Sequence, residues 1–563
     1  MKRHIMCSLL AAMLMATTVA CVSVHAESSD AGAAALVRDT TYGPVTGIED
    51  SDSGALIWYG IPYGAAPVED LRWAPPADPD AWTDALDCTE PAEPGMQYAM
   101  DYATGENNLI GTEDCLNLDI YSRPDAENLP VLVYVHGGNN QTGHSREIPG
   151  KQIVFDNNCI YVSLNYRLGL FGFNCLPALV SGEDATGNFT MLDIAKALDW
   201  VKENIAAFGG DPENITISGF SAGGRDVMAM LVSPLFAGKF NKAIAFSGGM
   251  TIADQTASAS QIAWAIAPLA VEDGLFEDEA EAQKWLLTDG DDVREFLFGL
   301  TPDRVCALMG NAGIRMSAFP HLYNDGIVLP EEGFDTDTYN QVPLLMLTGA
   351  TEFSLFCNFD GYFFSPAMTE LDEETQEAAK TFARIYGSDM YRIFNGQCSA
   401  QKMFDKYQEK IYLAQVEYGS VNSATFLPAM GSFHGIFVPM LTNDHTYGSF
   451  GDFTAEGFQA MASEFDQYLA NFLASGDPNA DGLTEWPAWT PENNTSMVFD
   501  ADETTPVIEA KDVSTTYEDI MARMDADETI TEDVKMNMIR NVMNGRWFSA
   551  AMDEHYGNES LWH

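Results

Sequence analysis

The chain has 563 residues, 46% hydrophobic and 11% aromatic, with no Pro/Gly/Ser-rich linker, tandem repeat or low-complexity tract to divide it. That composition supplies one large core and excludes a disordered polypeptide. A formal net charge of -55, from 28 Lys+Arg against 83 Asp+Glu, argues against nucleic acid, anionic lipid surfaces and polyanionic substrates, and reads most simply as solubility outside the cell or adaptation to salt.

Residues 1–26 read as a secretory signal peptide: MKRHIM carries the positive charge, an apolar stretch follows, and Val24-His25-Ala26 precedes Glu27. Cleavage is expected after Ala26. The apolar run is short for a membrane span, and Thr18 fits a lipoprotein signal at Cys21 poorly. Loss of Lys2 and Arg3 takes the charge from -55 to -57. The remaining residues, 27–563, read as a single exported domain without stable membrane insertion. They hold seven cysteines (88, 115, 159, 175, 306, 357 and 398), an odd number that leaves at least one unpaired within a monomer. With no CxxC and no HExxH, neither a metal nor a cofactor is expected.

The first strong strand is VLVYV (131–135), which ends in His136-Gly137-Gly138-Asn139. A glycine-rich loop at a strand end offers backbone N–H groups to an oxyanion, as the HGGG-type loop of esterases does. Gly138 and Asn139 are the donors such a loop would supply. IYVSLNY (160–166) is a second strand, and residues 191–208 place Ala, Leu, Trp and Ile at helical spacing. NITIS (214–218) then runs into GFSAGG (219–224), the G-x-S-x-G spacing of a nucleophile elbow. A serine hydroxyl there needs a base and an oxyanion hole, to which the N–H of Ala222 would add a third donor.

KAIAFSG (242–248) and VPLLMLTG (342–349) are further buried strands, and Glu352 follows the second. Its place just past a strand end suits an acid that orients a histidine, with Asp360 and Asp335 as rivals. The stretches at about 255–340 and 365–425 read as helices without clear strands, candidates for a cap, and 513–550 also reads helical. A base that follows the acid in chain order leaves His434, His445, His555 and His563, with His321 also lying beyond the serine. His434 stands out in a glycine-flanked loop, PAMGSFHGIF. Strands alternating with helices predict an α/β fold with a mostly parallel central sheet flanked by helices, and sites at the carboxyl ends of strands.

FGGDPENITISGFSAG (208–223), EDCLNLDIYSRP (113–124), GIPYGAAPVEDLRWAPP, LNYRLGLFGF and SPLFAGKFNKAIAFSGG fall in an order that resembles the type-B carboxylesterases. That α/β-hydrolase family includes cholinesterases, bacterial para-nitrobenzyl esterases and the non-catalytic neuroligins, and the likeness runs from about residue 40 to 500. The resemblance implies an α/β-hydrolase fold with helical cap insertions. It implies nucleophile Ser221, acid Glu352, base His434 and oxyanion donors Gly138, Asn139 and Ala222. It further implies a Cys88–Cys115 disulfide and buried ion pairs Arg72–Glu113 and Arg167–Asp193.

Four features depart from the family pattern. Asn139 replaces a glycine, and the turn before Glu352 is about two residues short. Phe220 stands where many members carry glutamate, which marks it as a substrate-side residue. The segment between Cys88 and Cys115 has Tyr98 and Tyr102 but no tryptophan to hold a quaternary ammonium. The expectation is a secreted serine carboxylesterase acting on a small-molecule ester, neutral or apolar rather than choline-type. The alternatives are a silent neuroligin-like binding protein, an amidase or carbamate hydrolase, or a cholinesterase-like activity on the same site. Nothing in the sequence sets an oligomeric state.

Overall fold

The computed structural model describes residues 36–101, 106–182, 185–308, 319–419, 430–558 and 562; the expected signal segment, 1–26, lies outside them. Eleven strands form the main sheet. In chain order they are β1 (Ile48–Glu49), β2 (Leu56–Pro62), β3 (Asn117–Ser122), β4 (Leu129–Val135), β5 (Ile160–Leu164) and β6 (Gly210–Phe220). Then come β7 (Lys242–Phe246), β8 (Leu344–Gly349), β9 (Ile411–Val416), β10 (Ser496–Ala501) and β11 (Pro506–Lys511). Across the sheet the order is β11-β10-β9-β8-β7-β6-β4-β5-β3-β2-β1. The pairings from β10 to β5 are all parallel, and those at both flanks are antiparallel.

The central strands lack an alternating polar face because both of their faces are covered. Val131, Val133 and Val135 of β4 join one apolar cluster, while Leu132 and Tyr134 join the other. Successive side chains point to opposite faces, so one short run feeds two cores. Val133 lies opposite Val162 of β5 and Ile217 of β6, which fixes the register at the middle of the sheet. On β6 the pairing to β4 is interrupted between Gly210 and Ile215, where Pro212 has no N–H to give.

The longer helices are α1 (Phe189–Asn204), α2 (Ala222–Val232), α3 (Gln255–Glu272), α4 (Glu279–Leu286), α5 (Asp291–Gly299), α6 (Glu373–Ile393), α7 (Glu456–Ser475) and α8 (Tyr517–Ala526). Ile194, Leu198 and Val201 of α1 recur at helical spacing and are buried in the first cluster. Phe458, Phe465 and Phe472 of α7 line one side of that helix and cover the second cluster. Helix α2 is buried along its whole length, directly behind the turn that holds Ser221.

Two expectations are corrected. The stretch 365–425 contains a strand: Ile411–Val416 is β9, paired to β8 and β10. Its six residues are too short to show a period beside the 21-residue helix α6 that dominates the segment. The Cys88–Cys115 disulfide is not formed; all seven cysteines among the described residues are free thiols. Each of the two sits in its own buried surroundings. Cys88 exchanges backbone hydrogen bonds with Thr46 and Tyr59 and has Asp87 and Asp119 as its charged neighbours, while Cys115 lies near Asp193, Arg167, Asp114 and Glu113. Burial raises both thiol pKa values, that of Cys88 to about 12. The two implied ion pairs are present, Arg72–Glu113 and Arg167–Asp193, each at 2.6 Å.

Asp466 on α7 yields a pH prediction. Its carboxyl accepts one hydrogen bond, from Asn157 at 3.1 Å, and burial pushes its pKa from 3.8 up to about 7. In the unfolded chain the proton leaves near the ordinary value, so between about pH 4 and 7 the native state binds more protons and stability falls as pH rises. Asp466→Asn is expected to remove the share of this decline that Asp466 contributes, at most about 4 kcal/mol for a shift of about three units, while Asp226, which burial also raises to about 7, keeps its own share. Urea unfolding at pH 4.5 and 7.5 measures it, and an undiminished decline in the variant would count against the assignment.

Candidate active site

Ser221 is the single residue between β6 and α2, with φ at +56°, a left-handed conformation that is costly for a residue with a side chain. The surrounding glycines make this turn possible. A Cβ at Gly219 would collide with the carbonyl oxygen of Gly223, and one at Gly223 with that of Val135. The Ser221 N–H donates to the Phe246 carbonyl of β7 at 2.9 Å, so the strained residue is tied to the sheet.

Glu352 follows β8, and His434 lies in the loop beyond β9. Their side chains meet with His434 Nδ1 2.5 Å from Glu352 Oε2, both buried. The other carboxylate oxygen, Oε1, accepts from Ser247 Oγ (2.6 Å), the Gly349 N–H (2.6 Å) and Thr348 Oγ1 (3.1 Å). These donors hold the carboxylate in one orientation. With Nδ1–H given to the carboxylate, the imidazole lone pair is on Nε2, which is buried and makes no hydrogen bond among the described residues. No hydrogen bond joins this Nε2 to Ser221 Oγ in the structure.

The rivals are occupied elsewhere. Asp360 pairs with Arg546 at 3.1 Å, and exposed Asp335 lies 3.5 Å from Lys402. His321 is buried with Nδ1 on the Phe319 carbonyl, and its pKa is held well below normal by burial and by Arg225. His445 is half-buried and His555 exposed, 3.8 Å from Asp525, while His563 lies outside the described residues. Among these histidines only His434 joins a buried carboxylate.

Three aromatic rings enclose the His434 imidazole: Phe220 at 4.7 Å, Phe356 at 5.0 Å and Tyr391 at 5.4 Å between ring centres. Phe220 was expected on the substrate side. It is 4% exposed, as Ser221 and His434 are, and its ring packs against His434 and Phe437.

The loop after β4 turns sharply, with φ of +97° at Gly138, +55° at Asn139 and +56° at Asn140. A Cβ at Gly138 would strike the Thr142 carbonyl, which explains the glycine there. The loop is fixed from several directions. Gly137 N–H donates to Glu147 Oε2 at 2.8 Å, Gly138 O accepts from the N–H groups of Gln141 and Thr142 at 3.0 Å, and Gly169 N–H donates to Asn140 O at 2.7 Å. Two side chains of α2 also reach it: Arg225 Nη2 donates to Asn139 Oδ1, and Asp226 Oδ1 accepts from Asn140 Nδ2, each at 2.9 Å.

Sequence reasoning missed Ser247, Thr348, Tyr391 and Arg225. Ser247 follows β7 directly, in line with Ser221 and Glu352 on neighbouring strands, and the strand-end rule would have found it. Arg225 and Asp226 also left a signal, as the only charges in the otherwise small and apolar AGGRDVMAMLV.

A sequence model of a family described as the carboxylesterase family matches residues 34–388 and 358–517. Para-nitrobenzyl esterase of Bacillus subtilis (strain 168) is 28% identical over 510 residues, covering 83% of this chain and 95% of that protein. Cocaine esterase of Homo sapiens is 28% identical over 519 residues, covering 82% and 87%. The crystal structure of a Geobacillus stearothermophilus carboxylesterase superposes with a TM-score of 0.65 at 26% identity, covering 86% of this chain and 99% of that one.

Proposed function

Because the chain belongs to the carboxylesterase family, we propose that it is an exported serine hydrolase that cleaves carboxylic esters through an acyl-enzyme. It is a carboxylic ester hydrolase of the α/β-hydrolase fold; the serine mechanism, the site residues, the single domain over 27–563 and release after Ala26 belong to this reading. Ser221 Oγ attacks the ester carbonyl while His434 Nε2 takes its proton. The Glu352 carboxylate stabilises the imidazolium. The N–H groups of Gly138, Asn139 and Ala222 receive the tetrahedral oxyanion, His434 protonates the leaving alcohol, and water repeats the sequence on the acyl-enzyme.

The observation that carries this reading is the buried Glu352–His434 pair, whose uncommitted Nε2 belongs to a ring packed on the residue next to Ser221. A binding protein of the neuroligin kind has no use for a fully hydrogen-bonded carboxylate behind a histidine, nor for a strained serine. The substrate is read as a neutral or apolar ester, since Phe220 puts an apolar ring beside His434 where a charge would favour choline.

Incubation with a fluorophosphonate and peptide mapping is expected to place the adduct on Ser221. An adduct elsewhere, or none, would sink the serine mechanism. A panel of p-nitrophenyl, phenolic and choline esters is expected to show kcat/KM for the neutral esters at least about tenfold above the choline esters, a difference of about 1.4 kcal/mol. Efficient choline-ester turnover blocked by quaternary ammonium would overturn the assignment of polarity, and amide or carbamate cleavage outpacing ester cleavage would reassign the substrate.

A further inference from the structure

Arg225 is 1% exposed, and its backbone N–H donates to the Ser221 carbonyl at 3.0 Å, one helical turn beyond the serine. Its side chain gives one hydrogen bond, from Nη2 to Asn139 Oδ1 at 2.9 Å, and Nε and Nη1 find no partner among the described residues. The adjacent carboxyl of Asp226 is engaged by Asn140 instead. Burial lowers the guanidinium pKa to about 10, which leaves it cationic at neutral pH. A buried cation without a paired carboxylate is costly, and this one is compensated by an indole face: it lies over the ring of Trp547, 4.3 Å from its centre.

Asn139 poses the complementary problem. It holds a left-handed φ of +55° at a loop position where the family resemblance has glycine; asparagine tolerates that conformation better than other residues with a side chain, but glycine adopts it without the cost of a Cβ. Trp547 is placed by Tyr391 (5.7 Å) and Phe356 (6.4 Å), two of the rings around His434. It comes from the segment beyond residue 517, where the family match ends.

We propose that Arg225 is a positioning residue for the oxyanion hole: it clamps the Asn139 side chain so that the backbone N–H keeps its aim, and Trp547, from the C-terminal segment beyond the family match, holds Arg225 in place. The clamp does for Asn139 what conformational freedom does for a glycine. It rests on the esterase reading above and adds two residues to it, one of them far along the chain.

The test is a double-mutant cycle on kcat, KM and the affinity of a trifluoromethyl ketone, which adds to the serine and leaves an oxyanion in the hole. Arg225→Met is expected to lower kcat by about 10- to 100-fold, short of the loss of a whole donor, with KM within about threefold. Ketone affinity should fall by a similar factor. Trp547→Leu should act in the same direction and more weakly. In the Asn139→Gly background there is no side chain to hold, so Arg225→Met should then cost less than about threefold.

Equal losses in both backgrounds, or a loss confined to KM, would overturn the clamp. Should Arg225→Met not fold, Asn139→Ala removes the same bond from the other side, and an unchanged kcat there would be equally decisive. Fluorophosphonate labelling of the wild type separates the two ideas. No adduct at Ser221 removes the esterase mechanism, whereas an adduct without Arg225–Asn139 coupling removes only the clamp.

Discussion

Ser221→Ala is expected to reduce kcat for a p-nitrophenyl ester by up to about a millionfold while leaving the fold intact. The bond that ties this residue to the sheet is a backbone bond, Ser221 N–H to Phe246 O, and alanine keeps it. The glycines that make room for the turn are likewise unaffected. What disappears is the hydroxyl, and with it the acyl-enzyme. Any residual rate would come from the oxyanion donors acting on water alone, a factor of about a thousand to ten thousand over the uncatalysed reaction. Steady-state kinetics beside a thermal melt gives the answer. A variant that melts like wild type and retains more than about 1% of its kcat would mean that another group supplies the nucleophile.

Glu352→Gln is the second large effect, with kcat expected to fall by about ten thousandfold. The reason lies in the partners of each carboxylate oxygen. Oε1 accepts from the Gly349 backbone N–H, a donor that cannot be reversed, as well as from Ser247 and Thr348. In the glutamine variant the amide oxygen must therefore stay at that position, and the NH2 group is forced towards His434 Nδ1. Nδ1 can then only accept, the ring proton moves to Nε2, and the atom that should take the serine proton already carries one. The loss should appear in kcat with little change in KM. Glu352→Asp, which keeps a carboxylate on a shorter arm, should recover part of it. A glutamine variant within tenfold of wild type would remove Glu352 from the mechanism.

The parts of the site that sequence makes legible are those whose chemistry is tied to local geometry. G-x-S-x-G after a β-branched run demands a tight strand-to-helix turn, and the glycine pair after β4 demands a left-handed loop. Glu352 was readable because it follows a strand end, although its rivals were set aside only once Asp360 was found beside Arg546 and Asp335 beside Lys402. Whatever depends on distant pairings was not legible. Residues 139, 225 and 547 carry no mutual spacing rule, so the contact chain from Asn139 to Trp547 appears only in three dimensions. Strand β9 was hidden for a different reason, being brief, buried on both faces and in the same segment as a much longer helix. The Cys88–Cys115 bridge came from resemblance alone, and here resemblance did not govern local packing.

Those unbridged cysteines have a consequence of their own. Sulfur attacks electrophiles as thiolate, and burial pushes the pKa values of Cys88, Cys306, Cys357 and Cys398 to about 12 and the other three higher still. The described residues therefore carry seven silent nucleophiles spread along the fold. Each falls silent or becomes reactive with its own neighbourhood: Cys306 with the helical insertion, Cys398 with the end of α6, Cys159 with the start of β5. Local opening converts position in the fold into the order in which the thiols become reactive, so the chain carries its own set of clocks for which part loosens first.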